Sequence, residues 1–338
     1  MNAASLARLL EVDELAEALG AVEQALARSL EVDVEAISGP ARRVVLGGGK
    51  RLRPALTLAS AVAAGGAVSA SAVTGATAVE LVQAGSLVHD DIMDEASERR
   101  GVPTINAVEG PSSAILVGDF LLARAGQLAA SVSAPVAAAL ATAIADLCRG
   151  QSMESGTLYD AHRTVDAYER SIEGKTAALF RAACEIGALA AGGSPAAVAA
   201  LSRFGVAFGM AFQIIDDVLD VVSTAEALGK PVGNDVREGV YSLPVLLALE
   251  GSGGGAIRAR LGRSPSASDI DAVLSVVRSS SAVVDALARA GEWNRIATDA
   301  LAALPATATR DGLASLPDAY LAWVLGEKAP GVAVSAGR

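Results

Sequence analysis

The sequence contains few of the side chains that most enzymes use for nucleophilic catalysis or for binding transition metals. Its 338 residues include two histidines, two cysteines and only 3% aromatic residues. The histidines, His89 and His162, exclude a histidine-rich zinc site and argue against a Ser-His-Asp triad. The cysteines, Cys148 and Cys184, lack C-x-x-C spacing, so we expect two packed core thiols in a protein of the reducing cytoplasm. Chemistry must come from carboxylates, amines and guanidinium groups.

Basic residues are also scarce, with 27 lysines and arginines against 38 acidic residues and a net charge of −11. A surface that follows nucleic acid needs lysine and arginine clustered over one face, so we expect no nucleic-acid partner. Charges at Arg8, Glu11 and Asp13 interrupt the N-terminal region, and no secretion signal is expected. The uncharged run between Arg124 and Asp146 is rich in alanine and serine. We expect a buried bundle helix there, and no integral membrane protein.

Helix-forming residues dominate what remains. Hydrophobic residues make up 52% of the chain, and alanine occurs in long stretches beside leucine and valine. Their three- and four-residue spacing predicts an almost wholly helical protein. The expected helices lie at roughly 12–30, 54–66, 69–93, 111–132, 134–160, 175–191, 196–222, 241–250, 267–305 and 310–326. We expect a flexible tail over 328–338.

Two Asp-Asp-x-x-Asp motifs carry the clearest chemical signal. They are LVHDDIMDE and FQIIDDVLDVV, with aspartates at Asp90, Asp91, Asp94, Asp216, Asp217 and Asp220. On a helix, the first and fifth positions of each motif lie one turn apart on one face, so two carboxylates converge. Both motifs end apolar runs and lack a cationic partner one turn away.

A solvated helix face is the simpler interpretation of one such motif, but it does not account for two. Like charges about 5 Å apart repel by roughly 3 kcal/mol at an effective dielectric near 20. Six carboxylates facing one cavity would oppose folding unless a cation neutralised them. Magnesium binds through one or two carboxylates together with substrate phosphates, so the motifs predict a diphosphate held through several magnesium ions.

Basic residues elsewhere in the chain can complete a diphosphate site. Lys50, Arg51 and Arg53 follow three glycines in GGGKRLRP, a turn that can bring backbone and side-chain donors to an anion. The further candidate donors are Arg99, Arg100, Lys175, Thr176, Gln213 and Lys230. Basic turns and helix caps are common, so each is ambiguous alone. Together they indicate one magnesium-bridged and one purely basic environment, which suits two diphosphate substrates.

Six segments, in this order, resemble the trans-type polyprenyl diphosphate synthases. They are GGGKRLRP, ELVQAGSLVHDDIMDEASERRG, GDFLLARA, GKTAALF, FQIIDDVLD and GKPVGNDVREG, within residues 45–250. The resemblance is to medium- and long-chain bacterial members. It implies one domain over 1–338, with the all-α isoprenoid-synthase-type bundle around a deep central cavity. It also implies a cytoplasmic homodimer that condenses isopentenyl diphosphate with an allylic diphosphate.

The resemblance assigns roles residue by residue. Lys50, Arg53, Gln83 and Arg100 match positions that bind isopentenyl diphosphate. Asp90, Asp94 and Asp216 match magnesium ligands, with three ions expected around the bound diphosphate. Positions around the allylic diphosphate are matched by Arg99, Lys175, Thr176, Gln213 and Lys230. The remaining aspartates of the motifs, with Lys175 and Lys230, are expected to take part in catalysis. Val240 departs from the pattern, because many relatives have lysine there.

Product length should depend on what blocks the growing chain N-terminal of Asp90. Val82, Gly85 and Ser86 are small, which leaves a tunnel open and favours a medium- or long-chain product. These residues could instead merely allow close helix packing, with a floor supplied near Phe120. Geranylgeranyl or farnesyl diphosphate synthase is therefore the alternative product class. A class I terpene cyclase would not need GGGKRLRP, and a non-catalytic subunit would not need intact aspartates.

Overall fold

The computed structural model describes residues 3–99, 101–228 and 231–331. The first half contains α1 (Ala3–Leu10), α2 (Leu15–Ser29), α3 (Glu35–Leu46), α4 (Leu52–Ala63), α5 (Ala70–Met93), a ribbon of β1 (Glu98–Arg99) and β2 (Val102–Pro103), α6 (Ile105–Val108), α7 (Pro111–Val132) and α8 (Ala134–Ser155). The second half contains α9 (Val165–Ile172), a π-helical turn (Glu173–Ala177), α10 (Ala178–Ala190), α11 (Pro195–Val222), α12 (Ala225–Leu228), α13 (Asn234–Glu238), α14 (Leu243–Glu250), α15 (Gly254–Arg258), α16 (Ala267–Ser279), α17 (Ala282–Ala300), a 3₁₀ turn (Leu301–Ala303) and α18 (Ala308–Lys328). The predicted helical class is confirmed.

Every predicted helical run coincides with a helix, but one boundary was wrong. The run 267–305 was expected to be one helix, and it is the two helices α16 and α17. Ser280 ends α16 with an extended backbone, φ −94° and ψ 177°, and its hydroxyl donates to Val277 O. At the other end, Ser266 and Asp269 form a capping box, which gives α16 its own start. Polar caps thus override the continuous apolar spacing.

The described residues divide into two compact units. Unit 1 draws on 1–145, 179–205 and 300–315, and unit 2 on 146–178, 206–299 and 316–338. The expected flexible tail falls mostly on residues 332–338, which lie outside the described residues.

Unit 1 has an alanine-rich core in which helices approach closely. α5 packs against α7, α4 and α2. Gly187 on α10 lies so near α4 that an added Cβ would sit 2.0 Å from Thr57 O. Only glycine permits that backbone contact. The small residues therefore do structural work in this unit by letting helix backbones meet.

Unit 2 contains the bulkier core. Tyr168, Tyr241 and Phe208 are wholly buried. Phe212 stacks on Tyr320 with ring centroids 5.1 Å apart, which joins α11 to α18. The few aromatic residues are therefore used to close this unit.

The cysteines differ from the sequence expectation. Cys184 is buried, and burial raises the pKa of its thiol to about 12. Cys148, expected in the core, is exposed, so that prediction was wrong. It lies on α8, where Ala141, Ala145 and Arg149 are also exposed. Both thiols are free.

Two helices are long and apolar enough to cross a membrane by length and composition alone. α11 is 61% buried over its most apolar stretch, as the core helix of a globular unit would be. α7 is only 28% buried over the corresponding stretch. The run between Arg124 and Asp146, expected to be one buried helix, is broken at Ser133, where the backbone is extended with φ −171°.

Candidate active site

The first acidic motif lies at the C-terminal end of α5. Asp90 and Asp91 occupy its last turn, and Asp94 is the residue that caps it. Asp94 is exposed, Asp90 is half-buried and Asp91 is buried. The negative end of a helix dipole disfavours carboxylates, and the last turn of α5 contains no basic residue. The motif therefore concentrates uncompensated negative charge, as a cation site requires.

Asp91 faces the protein and not solvent. Arg99 donates from Nε to Asp91 Oδ1 at 2.5 Å. Burial raises the pKa of Asp91, and the hydrogen bond and charge of Arg99 oppose that rise. Arg99, expected to bind the allylic diphosphate, therefore starts from a carboxylate partner. Arg100, expected to bind isopentenyl diphosphate, lies outside the described residues.

The glycine-rich turn before α4 presents its cations in different directions. Arg51 has φ +49°, and its guanidinium donates to Glu23, Glu80 and Val45 O at 2.5 to 3.1 Å. The sequence had grouped Arg51 with the phosphate donors, whereas the structure makes it the anchor of the turn. The Arg53 guanidinium lies 4.2 Å from the centre of the Phe180 ring, and Lys50 is exposed.

Gln83 and Asp90 lie two turns apart on α5, and seven residues bring side chains back to the same face. Gln83 is half-buried, and its carbonyl accepts a 3.0 Å hydrogen bond from the Ser86 hydroxyl. The helix therefore lines up the expected isopentenyl diphosphate residue with the first acidic motif.

The chain-length candidates lie deeper along α5. Val82 is fully buried and Ser86 is 9% exposed. An added Cβ on Gly85 would lie 3.2 Å from Gly118 O and 3.3 Å from Leu122, so Gly85 lets α7 approach. Close helix packing thus accounts for Gly85, and control of product length by these residues stays a prediction.

The second acidic motif lies in the last two turns of α11, which also lack a basic residue in the final turn. Asp216 is exposed, whereas Asp217 and Asp220 are buried. Only Asp216 of this triplet therefore presents its carboxylate to solvent, which agrees with the choice of Asp216 as the metal ligand.

Asp217 is held by neutral donors inside unit 2. Tyr168 donates from its hydroxyl to Oδ2 at 2.6 Å, and Gln213 donates from Nε2 to Oδ1 at 2.7 Å. Burial raises the pKa of Asp217 to about 7, although both hydrogen bonds oppose the rise. Thr176 in turn donates to Gln213 Oε1 at 2.7 Å. Two residues expected at the allylic diphosphate, Thr176 and Gln213, therefore lie together.

Asp220 has a different task from Asp216. Its carboxylate accepts hydrogen bonds from the backbone nitrogens of Asn234 and Asp235 at 3.3 and 3.1 Å, at the start of α13. It thereby holds the segment that follows Lys230. Lys230, expected at the allylic diphosphate, lies outside the described residues.

Lys175 lies in the π-helical turn, a backbone form that is common at functional sites. It donates to Glu154 on α8. An added Cβ on Gly150 would sit 2.1 Å from Lys175 N, and one on Gly174 would sit 2.7 Å from Asp146 O. Two glycines therefore let α8 and the turn meet backbone to backbone, which places Lys175.

Comparison with known proteins decides the family. A family model described as polyprenyl synthetase matches residues 34–277. This chain belongs to the polyprenyl synthetase family. Octaprenyl diphosphate synthase from Haemophilus influenzae is 37% identical over 316 residues, which are 92% of this chain and 95% of that protein. The predicted family and fold type are confirmed.

Solved polyprenyl synthase structures have the same fold. A polyprenyl synthase from Caulobacter crescentus CB15, complexed with calcium and isoprenyl diphosphate, has a TM-score of 0.86 at 34% identity, covering 94% of this chain and 96% of that one. A decaprenyl diphosphate synthase from Rhodobacter capsulatus also has a TM-score of 0.86 at 34% identity, covering 94% and 99%.

The acidic motifs of this polyprenyl synthetase family member suit a hard divalent cation. They offer carboxylate oxygens at the negative ends of two helices, where a cation relieves the helix dipole. Across residues 3–99, 101–228 and 231–331, no group of three or more acidic, histidine or cysteine side chains forms a ready-made metal cage. Magnesium characteristically completes its coordination with substrate phosphate and water.

Three residues of the described site were missed from the sequence. Glu154 pairs with Lys175, Tyr168 with Asp217, and Arg163 lies buried behind Tyr168. None belongs to a recognisable motif, and the partners lie 21 and 49 residues apart for the first two pairs. The Glu154 signal was an acid in an apolar helix, which alone predicts nothing specific.

Proposed function

We propose that this chain is a magnesium-dependent trans-prenyltransferase that condenses isopentenyl diphosphate with an allylic diphosphate. The observation that carries the proposal is the pair of aspartate motifs, each at the C-terminal end of a long helix without a basic residue in its last turn. Membership of the polyprenyl synthetase family confirms the predicted prenyltransferase class. The names of the relatives support a medium- or long-chain all-trans product.

The allylic diphosphate is the group that departs. Three magnesium ions, when bound, neutralise the charge that develops on it as the C–O bond breaks. Their proposed ligands are Asp90, Asp94 and Asp216. The proposed side-chain donors to the same diphosphate are Arg99, Lys175, Thr176, Gln213 and Lys230. Arg99 and Lys175 are held by Asp91 and Glu154, so each cation has a fixed starting position.

Isopentenyl diphosphate is the second substrate. Lys50, Arg53, Gln83 and Arg100 are its proposed ligands, and Arg51 keeps the first two on a fixed turn through Glu23 and Glu80. Its alkene attacks the allylic cation, and loss of a proton leaves a new allylic diphosphate. The released diphosphate can accept that proton, which agrees with a chain that has only two histidines.

Incorporation of radiolabelled isopentenyl diphosphate tests the proposal. We expect magnesium-dependent incorporation with geranyl, farnesyl or geranylgeranyl diphosphate as primer, and products of heptaprenyl length or longer. A cyclic hydrocarbon made from the primer alone would instead support a class I terpene cyclase. Failure to turn over any primer would support a non-catalytic subunit, and a product that stops at farnesyl or geranylgeranyl length would support the shorter-chain alternative.

Replacing Ser86 with phenylalanine is expected to shorten the product without stopping turnover. Ser86 is 9% exposed on α5, one turn before Asp90, and a bulky ring there would obstruct a chain growing past the motif. Chromatography of the dephosphorylated products measures the change. Ser86→Ala, which removes only the hydroxyl bond to Gln83 O, should leave the product length unaltered. An unchanged distribution with Ser86→Phe would place the floor elsewhere.

We propose that the chain is a homodimer that meets its second copy through α7. Ile115 and Leu116 on this helix are 48% and 59% exposed. Large apolar side chains on one exposed helix face favour a protein partner. A second copy would cover this face, and the charged residues Asp119 and Arg124 on the same helix argue against a lipid environment.

Leu116→Glu should convert the dimer to monomer, because it would place a charge in the covered face. Light scattering coupled to size-exclusion chromatography measures the mass. Val284→Glu is the matched control, since Val284 on α17 is 56% exposed, and it should leave the dimer intact. A dimer that withstands Leu116→Glu would contradict the assignment of α7. The free thiols support our proposal of a cytoplasmic location.

A further inference from the structure

Asp217 connects three elements of unit 2 that are separate in sequence. Its two oxygens accept from Tyr168 on α9 and from Gln213 on α11, and Gln213 accepts from Thr176 in the π-helical turn. Tyr168 is 1% exposed and Asp217 is 5% exposed. Because protein donors engage both oxygens, Asp217 is a hub between these elements, whereas its neighbour Asp216 faces solvent.

The phenol of Tyr168 is itself held from behind. The Arg163 guanidinium lies 5.5 Å from the centre of the Tyr168 ring. Arg163 donates to Ser171 Oγ and, at 3.3 Å, to Tyr241 O, and Ser171 donates to Tyr168 O at 2.7 Å. Arg163 is only 6% exposed. Ring and backbone of Tyr168 are thus both fixed, so its hydroxyl can point in only one direction.

We propose that Tyr168 is a positioning residue for the second acidic motif. By holding Asp217, it sets the rotation of α11 that directs the Asp216 carboxylate, and through Gln213 and Thr176 it holds the π-helical turn that carries Lys175. This inference rests on the proposed function, in which Asp216 binds magnesium and Lys175 binds the allylic diphosphate. Tyr168 acts only through these residues and contacts neither substrate.

Loss of the Tyr168 hydroxyl would disturb the site for a definite reason. A buried carboxylate that loses a donor must find another or shift, because an unsatisfied buried acceptor is costly. A shift of Asp217 turns the adjacent Asp216. Residues that orient metal ligands from behind change metal affinity or activity by about 10- to 100-fold when replaced.

Tyr168→Phe tests the proposal while keeping the ring on Arg163. We expect kcat to fall about tenfold and the half-saturating magnesium concentration to rise about tenfold. The KM for isopentenyl diphosphate should not change, because its proposed ligands Lys50, Arg53 and Gln83 belong to unit 1. A readout free of turnover is the rise in melting temperature produced by magnesium with inorganic pyrophosphate, which should fall below half of the wild-type rise.

Tyr241→Phe is the matched control. Tyr241 is another wholly buried tyrosine of unit 2, and its hydroxyl lies at the backbone of Gly262. It should retain the wild-type magnesium dependence and pyrophosphate response even if its melting temperature falls. That result separates general loss of packing from loss of positioning.

The inference is overturned if Tyr168→Phe keeps the wild-type magnesium dependence and pyrophosphate response, whatever its melting temperature. If Tyr168→Phe does not fold, Ser171→Ala decides instead. It removes one support of Tyr168, and an increase of about threefold in half-saturating magnesium supports the proposal, while no increase overturns it. A wild-type chain that shows no magnesium-dependent condensation would refute the proposed function, which is a separate and recognisable outcome.

Discussion

Asp90→Asn is expected to lower kcat by on the order of 100- to 1,000-fold while making the protein slightly more stable. Asparagine keeps the shape of the side chain but removes the charge that a magnesium ion needs. The same charge lies at the negative end of α5 beside Asp91 and Asp94, so its removal should stabilise the fold by about 0.5 kcal/mol. Steady-state kinetics and thermal unfolding in the absence of metal measure the two effects.

Asp285→Asn is the control for Asp90→Asn. Asp285 is an exposed aspartate in the first turn of α17, where the helix dipole favours a negative charge. Its replacement should leave kcat unchanged and lower stability slightly. If Asp90→Asn retained more than a tenth of the wild-type kcat, the first motif would not be a metal site.

Gly150→Ala is expected to have the largest effect on stability. The added methyl carbon would lie 2.1 Å from Lys175 N and 2.6 Å from Gly174 C, which are backbone atoms of the π-helical turn. Neither can move without displacing the turn, so we expect a loss of about 3 kcal/mol in the free energy of unfolding. Activity should fall as well, because Lys175 and Thr176 move with the turn. Urea unfolding followed by circular dichroism measures the loss.

Gly291→Ala serves as the matched substitution in the same unit. Gly291 lies inside α17, and an added Cβ would meet nothing within 4 Å. Alanine should therefore stabilise this helix by about 0.5–1 kcal/mol. Wild-type stability in Gly150→Ala would contradict the close approach of α8 to the turn.

The local parts of the site could be predicted because they depend on residues a few positions apart. Asp90 and Asp94, or Gln83 and Asp90, lie on one helix face by the geometry of the α-helix alone. The apolar spacing that located α5 and α11 is equally local. The resemblance of six motifs then supplied the roles, and the family comparison confirms the class to which they belong.

The remaining features depend on contacts that spacing does not encode. Arg51 was placed among the phosphate donors because it follows Lys50, but it turns to Glu23 and Glu80, which lie 28 and 29 residues away. The exposure of Cys148 depends on which face of α8 meets other helices. α9 was not predicted because its eight residues offer too short an apolar pattern. Its Tyr168 consequently escaped notice.

Removal and return of magnesium in a single preparation tests the central claim most directly. The intact chain would be treated with a chelator, desalted, and assayed with labelled isopentenyl diphosphate and farnesyl diphosphate before and after magnesium is restored. The account predicts background incorporation without the ion and full chain elongation once it returns. Elongation that proceeds equally well in the chelated sample would contradict it.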